Sequence, residues 1–369
     1  MAEKIRRIAL STGGGDAPGL NAVIRAVVLA ALNRGWECFG IREGYNGLLV
    51  PDQFPQGGIV PLTRDAVRGI THLGGTILGT TNCGDPRCFP VLGKAGRLVE
   101  KDVTAEVVDL FEQQGLDALI TIGGDGTLAI ANVLSQKGLP VVGVPKTIDN
   151  DLDGTVITFG FDTAVSFATE AVDRLHSTAE AHRRIMVIEV MGRYAGWIAL
   201  HAGVSATADA ILLPEIPYDI NKVANKISER TNQGRHFSMV VVAEGAKAAG
   251  GGYVVHDTKR VGEMERLGGV GQQVSAALEE ITGKQARCVV LGHLQRGGTP
   301  TSFDRLLSLR FGAAAVRALA EDQSGVMVAL DPPTVNYVPL AEATHRMKTV
   351  PLDCDTVLTA RDLGISFGD

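Results

Sequence analysis

Residues 5–32 read Ile-Arg-Arg-Ile-Ala-Leu-Ser-Thr-Gly-Gly-Gly-Asp-Ala-Pro-Gly-Leu-Asn-Ala-Val-Ile-Arg-Ala-Val-Val-Leu-Ala-Ala-Leu, and this stretch decides the fold class. Ile5–Leu10 is a strand-like run, Ser11–Asn21 a glycine-rich turn, and Ala22–Leu32 carries the apolar density of a helix. Strand, glycine turn and helix in that order leave unpaired backbone N–H groups pointing at an anion, with the helix dipole adding to the attraction. The pattern returns at Asp117-Ala-Leu-Ile-Thr-Ile122, followed by Gly123-Gly-Asp-Gly-Thr127 and a helical stretch to Lys137. A third apolar run, Pro140-Val-Val-Gly-Val144, ends in Pro145-Lys-Thr-Ile-Asp-Asn-Asp151. That places two carboxylates, a Thr and a Lys at the carboxyl end of a buried strand, the edge at which open α/β sheets bind ligands.

Neither glycine segment has the Gly-Lys-Ser/Thr of a Walker loop, and neither matches the dinucleotide fingerprint. Glycine lets backbone approach phosphate oxygens closely, and a carboxylate such as Asp125 suits the Mg²⁺ that travels with a nucleotide.

The alternation continues after Asp151. Asp162–Ala181 reads as a helix, Ile185–Val190 and Ala210–Leu213 as strands, Asn221–Asn232 as an exposed helix, Met239–Ala243 as a strand, Val270–Thr282 as a helix and Cys288–Leu291 as a last strand. Strands alternating with helices predict parallel sheets covered by helices. The expected architecture is α/β, with two Rossmann-like lobes and an active site in the cleft between them. The lobes are expected at residues 1–160 with about 297–345, and at 161–296 with about 346–369. Gly250-Gly-Gly252 reads as a surface turn. In the second lobe, Met191-Gly-Arg193 follows one strand, Glu244-Gly245 another, and Gly292-His293-Leu-Gln-Arg296 the last, while Arg184 and Arg287 each precede a strand. Several Arg and a His opposite a nucleotide-type lobe point to a second anion, because the guanidinium fork suits phosphate.

The 369 residues suffice for two domains, and a net charge of −6 gives no electrostatic case for nucleic acid or an anionic membrane. Apolar runs fall short of the ~18 residues of a membrane span. Five scattered cysteines without Cys-x-x-Cys fit reduced thiols, and the short N-terminal stretch before the first strand leaves no room for a signal peptide; a cytoplasmic protein is expected.

With these residues assembled, the chain resembles 6-phosphofructokinase over essentially its whole length. The resemblance rests on Gly-Gly-Asp-Ala-Pro-Gly (14–19), Gly-Gly-Asp-Gly-Thr (123–127), Thr-Ile-Asp-Asn-Asp (147–151), Gly-Phe-Asp-Thr-Ala (160–164), Val-Met-Gly-Arg (190–193) and Gly-His-Leu-Gln-Arg-Gly-Gly (292–298). It implies transfer of the γ-phosphoryl of ATP to the 1-hydroxyl of fructose 6-phosphate. Asp149 is then the base, with Thr147 beside the transferring group and Gly14 and Arg193 serving the transition state. Asp125 would hold Mg²⁺, and Asp151 would assist the metal or the base. Tyr45, Asn82, Cys83, Gly124, Gly126 and Thr127 would line the nucleotide. Ile148, Met191, Gly192 and Glu244 would line the sugar, and Arg184, Arg287, His293 and Arg296 would hold its 6-phosphate. In the family, arginines matching Arg184 and Arg287 come from a neighbouring subunit, so a homotetramer or homodimer with shared sites is expected.

Donor choice turns on two positions. Pyrophosphate-dependent relatives carry Asp at the position of Gly126 and Lys at that of Lys146, whereas many ATP-dependent bacterial members carry Gly at both. This chain has Gly126 with Lys146. An Asp at 126 would fill and charge the space of the ATP α-phosphate, so Gly126 favours ATP. The pyrophosphate-dependent reaction is the alternative, and a non-catalytic sugar-phosphate sensor on the same fold is the remote one. In Leu78-Gly-Thr-Thr-Asn82-Cys83 the family's Arg near Asn82 is absent, and Arg87 is the nearest Arg downstream. Arg25 and Asp209 match effector-site residues, while His176 replaces an Arg there. NAD kinases and lipid kinases also use Gly-Gly-Asp-Gly-Thr, but they do not account for Thr147–Asp151 or for His293 with Arg296.

Overall fold

The computed structural model describes residues 5–92, 97–257 and 266–369. The chain forms two compact units. The first takes the stretch to Thr147 together with Leu152–Gly160 and Gly297–Met347, and the second takes Ile148–Asp151, Phe161–Arg296 and Lys348–Asp369.

The first unit holds an eight-stranded sheet. Its strands run in the order Thr334–Pro339, Val326–Asp331, Val141–Thr147, Ala118–Gly123, Arg7–Thr12, Glu37–Ile41, Ile59–Pro61, and Phe159–Gly160 pairs with Val141–Thr147. The interior pairings are parallel and the two outermost are antiparallel. Every residue of Ala118–Gly123 and Val141–Thr147 is buried, as a parallel sheet covered on both faces requires. Side chains alternate between the faces. Ile8, Leu10, Ile120, Ile122, Val142 and Val144 meet the helices Leu20–Leu32 and Ser302–Ala320, while Ala9, Leu119 and Val141 meet Thr104–Gln113 and Asp125–Gln136. A hairpin, Phe89–Leu92 with Leu98–Lys101, stands apart from the sheet.

The second unit is built on a four-stranded, wholly parallel sheet in the order Ala210–Leu212, Ser238–Ala243, Ile185–Val190, Ala286–Val290. Ile185, Val187, Val240 and Val242 pack with Val223, Ile227, Val274 and Leu278 of the helices Ile220–Asn232 and Val270–Thr282. The helix at Ile220 starts where the Asp219 carboxylate accepts from the Asn221 N–H at 2.9 Å. The last strand begins at Ala286 rather than Cys288, so Arg287 lies inside it, paired in register with Met186. Among the described residues, no helix is long and apolar enough to cross a membrane.

Candidate active site

Strand order determines where chemistry can sit. In the first unit, Glu37–Ile41 flanks Arg7–Thr12 on one side and Ala118–Gly123 flanks it on the other, so the sheet reverses direction between Arg7–Thr12 and Ala118–Gly123. A crevice opens at the carboxyl ends of such a pair. The register pairs Thr12 with Ile122 and Gly123 with Pro145, which levels the carboxyl ends of three neighbouring strands. The two glycine turns and Lys146 emerge there together.

They are tightly interlocked. The Gly13 N–H donates to the Ile122 carbonyl at 3.0 Å. A Cβ on Gly13 would lie 2.7 Å from Thr127 Oγ1, so glycine is required by that close approach. Gly14 has φ +75, its N–H donates to the Thr81 carbonyl at 3.1 Å, and its carbonyl accepts from Thr80 Oγ1 at 2.5 Å. Buried Lys146 donates through Nζ to the Gly15 carbonyl. Gly124 precedes the helix Asp125–Gln136, whose first turn carries Asp125. A Cβ on Gly126, by contrast, would meet nothing within 4 Å.

Next to this edge, Asp85 and Arg87 form a two-point pair, with Nε to Oδ1 at 3.0 Å and Nη2 to Oδ2 at 2.6 Å, and the Arg87 N–H also donates to Asp85 Oδ1 at 2.9 Å. The Asp85 hydrogen bond first, and the charges of Asp85 and Asp125 after burial, bear on the Arg87 guanidinium and raise its pKa. Arg87 therefore lies within electrostatic reach of Asp125. The Asp-Pro-Arg spacing, in which a carboxylate caps the N–H two residues on, is the signal that could have marked this pair. The Cys83 N–H donates to Thr81 Oγ1 at 3.0 Å, and Cys83 and Asn82 sit on the partly exposed loop beside Gly14. Tyr45 is 4 % exposed and packed among Ala9, Ile41, Leu48 and Leu119; burial first pushes its hydroxyl pKa up, Thr121 opposes this, and the charge of nearby Asp85 adds to it.

In the second unit the sheet reverses between Ile185–Val190 and Ala286–Val290. Met191-Gly192-Arg193 leaves the first of these strands, and Gly292–Arg296 forms a 3₁₀ turn after the second. Glu244 leaves the neighbouring strand Ser238–Ala243. Arg193 has φ +50, and its N–H donates to Glu244 Oε1 at 3.1 Å. Gly245 packs so closely on this turn that a Cβ there would lie 1.8 Å from the Arg193 carbonyl oxygen. Burial raises the Glu244 pKa, the Arg193 N–H opposes it, nearby Glu189 raises it further, and the charges of Arg296 and Arg193 lower it. Arg193, Glu244 and Arg296 thus share one edge, and His293 is exposed beside them. Gln295 is 1 % exposed and braces the turn, its Nε2 donating to the Gly292 carbonyl at 3.1 Å.

Arg184 and Arg287 are not at that edge. Arg184 precedes Ile185 and donates through Nε to Gln285 Oε1 at 3.1 Å, and Arg287 pairs with Glu279 at 3.8 Å. Both stand at the amino end of the sheet, roughly 15–20 Å along the strands from Arg193 at ~3.3 Å per residue. Within one chain they do not join His293 and Arg296.

Ile148–Asp151 also belongs to the second unit. Asp149 and Asn150 are each 4 % exposed, and Asn150 adopts φ +52. Of the effector-type residues, Arg25 donates to the Val67 carbonyl at 2.7 Å, Asp209 pairs with Arg230 at 2.9 Å and accepts from the Met239 N–H, and a His176 ring nitrogen bonds the Ala206 carbonyl at 3.1 Å.

Among the described residues, no three His, Cys, Asp or Glu side chains converge into a metal cage. Asp125, in the first turn of the helix Asp125–Gln136, is the kind of ligand Mg²⁺ takes, since that ion keeps several waters and binds through one or two carboxylates together with substrate phosphates.

The family model described as Phosphofructokinase matches residues 7–319. The chain is 53% identical over 373 residues to the ATP-dependent 6-phosphofructokinase of Chloroflexus aurantiacus, covering 100% of this chain and 99% of that one. It is 50% identical over 351 residues to the pyrophosphate–fructose 6-phosphate 1-phosphotransferase of Amycolatopsis methanolica, covering 94% and 96%. The crystal structure of Pichia pastoris phosphofructokinase in the T-state superposes with a TM-score of 0.79 at 31% identity, over 94% of this chain but 36% of the larger yeast chain. With two α/β units, glycine turns at one carboxyl edge, an Arg–Glu–Arg edge in the other, and this extent of similarity, the chain belongs to the phosphofructokinase family.

Proposed function

We propose that this chain transfers the γ-phosphoryl of ATP to the 1-hydroxyl of fructose 6-phosphate, giving fructose 1,6-bisphosphate and ADP in cytoplasmic glycolysis. The observation that carries the choice of ATP is the open volume at Gly126, where an added Cβ has no neighbour within 4 Å. A nucleotide needs room for its α-phosphate; pyrophosphate does not.

The glycine edge of the first unit takes the donor. Gly124, Gly126 and Thr127 open a helix N-terminus toward phosphate, Lys146 adds charge, and Arg87 stands in for the family Arg missing near Asn82. The Gly14 N–H already donates to Thr81, so it serves a phosphoryl oxygen only by exchanging that bond. Tyr45, buried in the apolar layer, supports the nucleotide edge by packing rather than by contact. When bound with the nucleotide, Mg²⁺ neutralises charge on the donor phosphates; Asp125 and Asp151 are the residues that would hold it.

The second unit takes the acceptor. Asp149 accepts the 1-hydroxyl proton as the oxygen attacks the γ-phosphorus and the bond to ADP breaks. Arg193, its turn fixed by Glu244, supplies charge for the transferring oxygens. Met191, Gly192 and Glu244 face the sugar, and His293 and Arg296 its 6-phosphate. Arg184 and Arg287, at the far end of the sheet, complete this site on a second copy of the chain, which makes the active form a homo-oligomer.

The pyrophosphate reading keeps a specific support in buried Lys146 and in a 50%-identical relative named for pyrophosphate. Purified protein offered fructose 6-phosphate with ATP or pyrophosphate in separate reactions decides between them. Turnover with ATP alone is the expected result; preference for pyrophosphate reverses the assignment.

A further inference from the structure

Asn150 lies between the two carboxylates of the Ile148–Asp151 turn and combines two unfavourable features. Its backbone is left-handed, at φ +52, and its polar side chain is buried. Asn tolerates that backbone better than other non-glycine residues, but only where surrounding contacts hold it.

The contacts come from a residue about two hundred positions away. Lys348 donates through Nζ to Asn150 Oδ1 at 3.0 Å, and its backbone N–H donates to the Asp151 carbonyl at 2.8 Å. Its own carbonyl accepts from Trp197 Nε1 at 2.9 Å, and its ammonium lies 5.7 Å from the centroid of the Trp197 ring. Trp197 opens the helix Trp197–Ser205 and stacks edge-on against His201, which in turn meets Phe161 at 5.2 Å. Lys348 is therefore gripped at its N–H, its carbonyl and its ammonium, and it ties the turn to a helix of the same unit. Burial first, and the Lys348 charge second, lower the His201 pKa.

We propose that Lys348 is a positioning residue: by holding Asn150 and Asp151 it fixes the direction in which the Asp149 and Asp151 carboxylates project. Lys348 is assigned its role through the turn it holds rather than through the substrate. The inference rests on the reading of Asp149 as the base. Displacing an aligned group by about 1 Å costs on the order of 10²-fold in rate.

The test is a double-mutant cycle read as kcat and KM. Lys348→Met is expected to lower kcat by about 10²-fold while KM for fructose 6-phosphate moves less than about threefold. Asn150→Gly removes the acceptor and is relaxed at positive φ. In the Asn150→Gly background, Lys348→Met should cost much less than it does in wild type, because its bond to Asn150 Oδ1 is already gone. Lys348→Met retaining kcat within twofold of wild type overturns the proposal, as does a full second loss in the Asn150→Gly background. Should Lys348→Met not fold, Asn150→Gly alone decides, and an unchanged kcat overturns the idea. Wild-type protein in the same assay separates the two readings. If it does not phosphorylate fructose 6-phosphate, the function reading fails. The clamp is then judged by the same cycle in thermal unfolding, where additive losses in Tm overturn it.

Discussion

Gly126→Asp is the substitution for which the structure supplies most of the answer in advance. Gly126 is the second residue of the helix Asp125–Gln136, and an added Cβ meets nothing within 4 Å, so the change introduces no overlap inside the protein. Replacing a helical glycine recovers roughly 0.5–1 kcal/mol of backbone entropy. A carboxylate in the first turn adds about 0.3–1 kcal/mol through the helix dipole, partly cancelled by repulsion from adjacent Asp125. Stability should therefore stay within about 1 kcal/mol of wild type, and a thermal melt checks that. The donor site changes far more. A new negative charge about 5 Å from a phosphate oxygen, at an effective dielectric near 20, costs on the order of 3 kcal/mol, or about 10²-fold in kcat/KM for ATP. Pyrophosphate, with no α-phosphate to accommodate, should lose less, and the mutant pairs the new Asp with Lys146 as the pyrophosphate-dependent relatives do. The assay is kcat/KM for both donors in both proteins at fixed Mg²⁺ and saturating fructose 6-phosphate. An unchanged ATP value in a folded Gly126→Asp protein refutes the steric and electrostatic argument, and so does a wild type that prefers pyrophosphate.

Asp149→Asn should leave folding and fructose 6-phosphate binding near wild type while kcat falls ~10²–10⁴-fold; a mutant retaining more than about a tenth of turnover removes Asp149 from the base role. Mixing Asp149→Asn with Arg287→Ala subunits should restore activity above either parent if Arg287 serves a second copy; confirmed subunit exchange without a gain sinks the shared-site idea. The Glu244 carboxyl has its pKa raised above the ordinary 4.5, chiefly by burial. The folded protein therefore holds this proton more tightly than the unfolded chain, so the contribution of this group to stability is greatest below 4.5 and is lost as pH rises through the folded value. Glu244→Gln keeps the acceptor for the Arg193 N–H and should flatten that decline in denaturant titrations across the acidic range; an unaltered slope would remove Glu244 as its source.

The elements with strong local signatures were legible in the sequence. Apolar runs such as Ile185–Val190 and Val141–Val144 read as buried strands, and glycine turns after Leu10 and Ile122 read as anion-facing turns, because burial and backbone freedom write directly into residue type. Sheet order does not. Arg193 and Glu244 follow strands far apart in the chain, and only the parallel pairing of Ser238–Ala243 with Ile185–Val190 brings both to one carboxyl edge. Tyr45 is marked only by the family resemblance, and its burial in the apolar layer beside the short helical turn Asn46–Leu49 has no local signature. Arg87 is marked only by an Asp two residues earlier. Lys348 has no local signature, since Asn150, Asp151 and Trp197 lie about 150 to 200 residues away in the chain.

The interleaving of the two units has a cost during synthesis. Strand Val141–Thr147 is made early, but the helix that covers its face starts at Ser302 and its parallel neighbour Val326–Asp331 comes later still. At ~5–20 residues per second a ribosome takes on the order of ten to thirty seconds to cover that interval. For that time the sheet is incomplete, with an apolar face and a strand edge open to solvent. The second unit waits longer: Ser366 exchanges hydrogen bonds with Asp209 and Ile211 at the margin of its sheet. No single cut of the chain yields either unit whole. Truncation from the C-terminus should therefore produce aggregation or chaperone dependence in the nascent chain rather than a clean half-enzyme.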